Sequence, residues 1–218
     1  MNTYRGVIFD LDGTLLDTLD DLASAVNYAL SIYSLPQRSR EEICSFIGNG
    51  AKKLILRASE NDARADEILE RFRLYYKEHS ADTTKPYEGV LEMLSSLKEK
   101  GIKTAVLSNK PDFLTTALSK KYFGDLIGFA QGEKEHEGIP RKPAPDALFS
   151  VMETLGVAKE ETVYIGDSDV DIKTAKNAGV DCISVTWGFK SRAFLEENGA
   201  THLADTTAQV LRFCGVEI

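Results

Sequence analysis

Two aspartates stand two positions apart in Phe9-Asp10-Leu11-Asp12-Gly13-Thr14, directly behind the apolar run Gly6-Val7-Ile8-Phe9. Average residue usage gives the spacing D-x-D-G-T by chance in roughly one chain in several hundred of this length, and more rarely behind an apolar run. If the strand continues by two residues, both carboxylates lie on one side of the turn. Acids so placed can hold a hard cation or act as nucleophile and proton carrier. The plainer alternative is a helix-capping or turn aspartate. Three further sets of polar residues are candidates: Ser108-Asn109-Lys110 behind Ala105-Val106-Leu107, Arg141-Lys142-Pro143, and Gly166-Asp167-Ser168-Asp169-Val170-Asp171 behind Val163-Tyr164-Ile165. Each alone has an ordinary reading: a strand-end hydroxyl, a solvated lysine before proline, a helix cap.

Such residues can work together only if the elements before them end at one place. Residues 5–10, 103–109, 162–167 and 182–188 are short apolar runs with polar or glycine ends, the form of buried parallel strands that deliver side chains at their carboxyl ends. Between them lie helix-spaced stretches: Val90, Leu91, Leu94 and Leu97 before Lys100-Gly101, Leu148 to Leu155 before Gly156, and Ile172 to Ala178 before Gly179. This alternation predicts an α/β fold, a doubly wound parallel sheet of Rossmann-like form, with ligands at the carboxyl rim.

Residues 17–83 break the rhythm. Helix-like segments around 19–33, 41–46, 51–59 and 65–79 follow one another without a convincing strand. The chain therefore reads as an α/β core of residues 1–16 and 84–218 with an inserted α-helical cap of residues 17–83. Lys85-Pro86-Tyr87-Glu88-Gly89 suits a hinge. The charged stretch Glu60 to Arg73 reads as a solvated helix face.

Composition bounds the function. The 218 residues are 43% hydrophobic and 28% charged, within the range of globular proteins, and long enough for a sizeable core. A net charge of −8 disfavours nucleic acid and anionic membrane surfaces as partners. No apolar stretch approaches the roughly 20 residues that span a bilayer, and the first residues lack the features of a secretory signal, so a cytoplasmic location is expected. Cys44, Cys182 and Cys214 have neither disulfide nor zinc-site spacing and read as reduced thiols; His79, His136 and His202 are scattered and receive no role.

Taken in order, the four polar segments resemble the four motifs of the haloacid dehalogenase superfamily, and the resemblance covers the whole chain. It implies a Mg²⁺-dependent phosphatase. Asp10 would be the nucleophile that forms an aspartyl-phosphate, and Asp12 the acid that protonates the leaving alkoxide and the base that activates water. Ser108 and the amide of Asn109 would donate to phosphate oxygens, and Lys142 would balance charge at Asp10 and the phosphate. Asp10 and Asp167, with the backbone carbonyl of Asp12, would hold Mg²⁺, and Asp171 would support that site from behind. Asp169 stays outside this set. Retention of Asp12 favours phosphoryl transfer over dehalogenation, and Thr14 leans toward hydrolysis.

Within the insertion, Gly48-Asn49-Gly50 resembles the cap loop of phosphoglycolate phosphatases, as does Ser108-Asn109-Lys110-Pro111. A loop of this kind would contact the substrate beyond its phosphate, with Lys52 or Lys53 nearby. The expected substrate is a small phosphate monoester, 2-phosphoglycolate first. Pyrophosphate, sugar phosphates and nucleotide monophosphates are alternatives, as is a β-phosphoglucomutase-like sugar phosphomutase. A non-catalytic regulator on the same fold would not need the complete set Asp10, Asp12, Ser108, Lys142 and Asp167.

Overall fold

The computed structural model describes residues 4–217. In chain order, β1 (Gly6–Phe9) and β2 (Leu16–Asp17) lead into four helices, α1 (Leu19–Ile32), α2 (Arg40–Phe46), α3 (Ala51–Ala58) and α4 (Ala65–His79). Strand β3 (Lys85–Pro86) and helix α5 (Val90–Glu99) follow, then β4 (Lys103–Pro111), α6 (Asp112–Phe123), β5 (Phe129–Glu133) and α7 (Asp146–Leu155). The chain continues through β6 (Thr162–Gly166), α8 (Asp169–Ala178), β7 (Asp181–Val185), α9 (Arg192–Glu197), β8 (Leu203–Ala204) and α10 (Thr207–Phe213). It divides into two compact units, Met1–Leu16 with Pro86–Ile218, and Asp17–Lys85. The connecting strands β2 and β3 pair with each other.

The larger unit is built on a six-stranded sheet in the order β5-β4-β1-β6-β7-β8, with every pair parallel. The expected parallel α/β sheet is therefore present. From β1 the chain goes outward to one side through β4 and β5, then returns to the other through β6, β7 and β8. The order reverses beside β1, where open α/β sheets leave a crevice outside the carboxyl ends. All four residues of β1 and all five of β6 are buried, as both-face coverage requires of strands so uniformly apolar. On one face Ile8, Ala105, Leu107 and Tyr164 pack with Leu148, Val151, Met152 and Leu155 of α7 and Ala175 and Ala178 of α8. The alternating residues Val7, Phe9, Val106, Val163 and Ile165 are buried on the other.

Two strands of this sheet and three helices lie beyond the sequence pattern, as does the short β2-β3 pair. The β5 segment Phe-Ala-Gln-Gly-Glu contains no apolar run; it is a strand because β4 offers it a parallel edge. Two-residue β8 has too little length for any period, and α6, with Thr115, Thr116, Ser119 and paired lysines, has little amphipathic contrast. Helices α9 and α10 are six and seven residues long. The run expected over 182–188 stops as a strand at Val185, and Trp187, Gly188 and Phe189 beyond it turn to the site described below.

In the helical unit, Leu22, Ala25, Val26, Ala29 and Leu30 of α1 are buried, as are Ile68, Leu69, Phe72 and Tyr76 of α4, Ile43 of α2, and Leu54 and Ile55 of α3. Their spacing of three and four is the stripe an amphipathic helix buries. Asp66, Glu67, Glu70 and Arg73 of α4 are exposed, so the charged stretch has an apolar back as well as a solvated face. Ser39 and Glu42 form a capping box at the start of α2. Asp21 is the most heavily bonded acid of this unit: it accepts the backbone amides and hydroxyls of Thr83 and Thr84 at 2.6 to 3.2 Å, tying α1 to the end of the unit. Burial raises the Asp21 carboxyl's proton affinity, but these donors outweigh it and hold its pKa below the ordinary value.

Candidate active site

Strand register gathers the polar segments. Phe9 lies opposite Val106 on one side and Ile165 on the other, so the residues just past these partners, Asp10, Ser108 and Asp167, end at one rim. The amide of Asp10 continues the ladder to the carbonyl of Ile165 at 2.8 Å. After that the chain turns: the amides of Leu15 and Leu16 both donate to the carbonyl of Leu11 at 3.0 Å, and the strand does not continue to Asp12. On β4 the pairing with β5 shifts register between Leu107 and Pro111, an irregularity that re-aims Ser108, Asn109 and Lys110.

Crowded carboxylates need space, and three glycines provide it. Gly13 has φ +84°, and a Cβ there would overlap the Asp167 carboxylate; one at Gly166 would overlap Asp171. Gly188 would meet both the Gly13 carbonyl and the Asp167 side chain. Its loop also holds the site by hydrogen bonds, from the Phe189 amide to Asp167 Oδ2 at 2.7 Å and from Trp187 Nε1 to the Thr14 carbonyl at 3.0 Å. Gly188→Ala is expected to displace Asp167 and the Asp10 turn together. Misplacement of about 1 Å can cost about 10²-fold in rate, so kcat should fall by that order while circular dichroism stays unchanged; wild-type kcat in a folded Gly188→Ala protein would contradict this packing argument.

Lys142 is the hub of the buried cluster. Its ammonium is bonded to Asp10 Oδ1 at 2.9 Å, Asp171 Oδ1 at 2.8 Å and the Tyr164 hydroxyl at 2.8 Å, which satisfies all three of its protons. Tyr164 donates in turn to the Leu107 carbonyl at 3.0 Å. Asp171 Oδ2 accepts from the amide and hydroxyl of Ser168 at 3.1 and 2.6 Å, so Asp171 serves a capping box at α8 as well as the cluster. Asp167 Oδ1 accepts from Thr14 Oγ1 at 3.3 Å. Burial, with Lys142 opposing and Asp171 and Asp12 adding to it, pushes the Asp10 carboxyl up to about 7. Burial next to Asp171 and Asp10 raises Asp167 well above the carboxylate range. Burial works against the Lys142 charge, yet Asp10 and Asp171 prevail and hold its pKa well above that of an ordinary lysine.

Asp10, Asp167 and Asp171 each offer an oxygen within 4.8 Å of the others. Three buried carboxylates share one ammonium, so full ionisation would leave two negative charges unbalanced. Oxygen donors with that deficit fit a divalent cation. The Asp12 carboxylate lies outside this trio and is bonded to Lys110 instead, at 2.8 and 3.0 Å. Ser108 Oγ accepts the Lys110 amide at 3.2 Å. The Asn109 side chain is paired with the Lys142 backbone in both directions, at 2.9 and 3.0 Å, which fixes the loop that carries the hub lysine. Gly48, Asn49 and Gly50 lie in the helical unit before α3; Gly48 and Gly50 have positive φ, and Arg57 bonds Asn49 Oδ1 at 3.1 Å.

The structure adds Lys110, Tyr164, Gly188 and Phe189 to the residues that the sequence points to. Lys110 and the Trp187-Gly188 strand end lie inside segments that the sequence marks, so their position is a signal. Nothing local marks an apolar-strand tyrosine or a backbone amide as a site component.

The fold and this cluster define a Rossmann-like α/β protein with buried carboxylates, suited to a divalent cation, at its topological switch point. Residues 7–185 match the family described as haloacid dehalogenase-like hydrolase, and the chain belongs to that family. Among its relatives, phosphoglycolate phosphatase 1 of Pseudomonas aeruginosa is 34% identical over 95% of this chain and 78% of its own length. The phosphoglycolate phosphatase of Haemophilus influenzae is 33% identical over 97% of this chain and 99% of its own. A crystal structure from Lactobacillus delbrueckii subsp. bulgaricus, provisionally named a phosphoglycolate phosphatase, is 37% identical with a TM-score of 0.93 and covers 97% of this chain and 98% of its own. The chain is thus an enzyme, a hydrolase whose relatives cleave phosphate monoesters. No helix of the described residues is long and apolar enough to cross a membrane.

Proposed function

We propose that this hydrolase is a Mg²⁺-dependent phosphatase acting on a small phosphate monoester, 2-phosphoglycolate first among the candidates, through an aspartyl-phosphate on Asp10. The observation that carries the reading is the separation of two acids two residues apart: Asp10 joins the Lys142 cluster, while Asp12 has its own ammonium in Lys110. An Asp10 oxygen attacks phosphorus, the bond to the leaving oxygen breaks, and that oxygen takes a proton from Asp12. Water then attacks phosphorus as Asp12 takes its proton, and the bond to Asp10 breaks to restore the carboxylate. Lys142 limits repulsion between Asp10 and the arriving phosphate, and Ser108 Oγ with the Asn109 amide donates to the phosphoryl oxygens. When bound, Mg²⁺ would supply positive charge at the transferring group, held by Asp10, Asp167 and the Asp12 carbonyl with Asp171 behind them.

In this reading the helical unit of residues 17–83 is the cap, and Gly48-Asn49-Gly50 recognises the part of the substrate beyond its phosphate. The names and coverage of the relatives support 2-phosphoglycolate. Ranking kcat/KM over 2-phosphoglycolate, pyrophosphate, sugar phosphates and nucleoside monophosphates tests this, with 2-phosphoglycolate expected highest. Isomerised hexose phosphate without phosphate release would replace the phosphatase by a mutase.

Metal dependence has a sign that pH reveals. The Asp10 pKa rises from the ordinary 3.8 to about 7 on folding, so between those values the metal-free fold binds the extra proton. Its contribution to stability therefore falls as pH rises from about 4 to about 7. A cation must displace that proton, so stabilisation by Mg²⁺ over EDTA should be small at pH 5 and larger at pH 8. Thermal melts at the two pH values check this; an equal Mg²⁺ shift at both would count against Asp10 as a ligand.

A further inference from the structure

Lys110 has no part in the steps above, yet it is one of the most buried cations in the protein: its side chain is 3% exposed, and that of its partner Asp12 14%. A buried ion pair is about neutral for stability compared with apolar side chains of similar size, so stability alone does not account for a lysine here. We infer that Lys110 is a positioning residue that fixes the plane of the Asp12 carboxylate for proton transfer. This rests on the role proposed for Asp12 and extends it to a residue outside the reacting set.

The geometry has three parts. The ammonium contacts both Asp12 oxygens, at 2.8 and 3.0 Å, so rotation of the carboxylate about its last bond would break a contact. The lysine is itself anchored: its amide donates to Ser108 Oγ at 3.2 Å, and its carbonyl accepts from Thr115 Oγ1 at the start of α6 at 3.3 Å. Gly132 on β5 lets that backbone approach, because a Cβ there would lie against the Lys110 carbonyl and the Asp112 backbone. Finally, the two cations are divided between tasks. Lys142 serves Asp10 and Asp171, and Lys110 serves Asp12, so each acid can be oriented without disturbing the other.

A residue that acts through the proton carrier matters in proportion to the need for the proton. An alkoxide leaving group needs one as the phosphorus-oxygen bond breaks, whereas 4-nitrophenolate leaves without it. The test measures kcat/KM, which reports formation of the aspartyl-phosphate, for 2-phosphoglycolate and 4-nitrophenyl phosphate with wild type, Lys110→Met, Asp12→Asn and the double variant. General acid catalysis is worth about 10² to 10⁴-fold; loss of positioning should remove about 10 to 100-fold of it for the alkyl ester and less than about 3-fold for the aryl ester. On the Asp12→Asn background, Lys110→Met should add less than about 3-fold.

Equal losses with both esters, or a full additional loss on the Asp12→Asn background, would overturn the inference. The second outcome would point to direct contact between Lys110 and substrate. The double variant has no unpaired buried charge and carries the test by comparison with Asp12→Asn even if Lys110→Met folds poorly. Full alkyl-ester turnover by Asp12→Asn would instead remove the proposed proton-transfer role, a failure separable from that of Lys110.

Discussion

Asp10→Asn is expected to lower phosphate release by at least about 10⁴-fold, as loss of a covalent nucleophile does in other hydrolases, with the fold intact. Asparagine has the same shape and still accepts a hydrogen bond from Lys142, whose other partners are Asp171 and Tyr164. The buried Asp10 carboxylate is opposed by desolvation, so its removal should change stability little. What disappears is the oxygen that bonds to phosphorus. Acid-quenched wild-type enzyme should retain labelled phosphate on Asp10, and the variant should retain none. Turnover within tenfold of wild type would exclude Asp10 as the nucleophile.

Lys142→Met carries the largest combined loss. Removing one partner of a buried charge network costs about 3 to 5 kcal/mol, since the remaining charges stay buried without compensation. Here Asp10 and Asp171 would face each other and Asp167 with no ammonium among them. Stability should fall by that amount at pH 7, and activity should fall with it because Asp10 would hold its proton. In wild type the Lys142 pKa is raised on folding; its contribution is therefore complete below the pKa of an unfolded lysine and is lost only as pH rises through the higher folded value. The variant should recover part of its deficit near pH 5, where Asp10 and Asp167, both raised by burial, hold their protons. Urea midpoints at pH 5 and 7 measure this, and a variant as stable as wild type at pH 7 would show that Lys142 does not balance the cluster.

The strands that carry the site were legible because they are buried on both faces. Val7-Ile8-Phe9 and Val163-Tyr164-Ile165 leave little for solvent, and their polar ends stand out against that background. Strand β5 was not legible, because Gln131 and Gly132 become strand only through pairing with β4. Among the residues of the candidate site, Asp10, Asp12, Ser108, Lys142, Asp167 and Asp171 stand out from order and placement. Tyr164 does not, since a tyrosine in an apolar strand looks like core until its hydroxyl is found between Lys142 and the Leu107 carbonyl.

The amino-acid sequence by itself determined which acids and lysines are available and that alternating strands and helices would carry them to one rim, since chemical type and period are properties of neighbouring residues. The tertiary structure decided the pairing of charges. Lys142 and Asp10 are 132 positions apart, and Lys110 and Asp12 are 98. Which cation meets which acid depends on strand register, on the irregular end of β4 and on the space at Gly13, Gly166 and Gly188. Electrostatic attraction acts over distances in space, and those distances are fixed only when the sheet has formed.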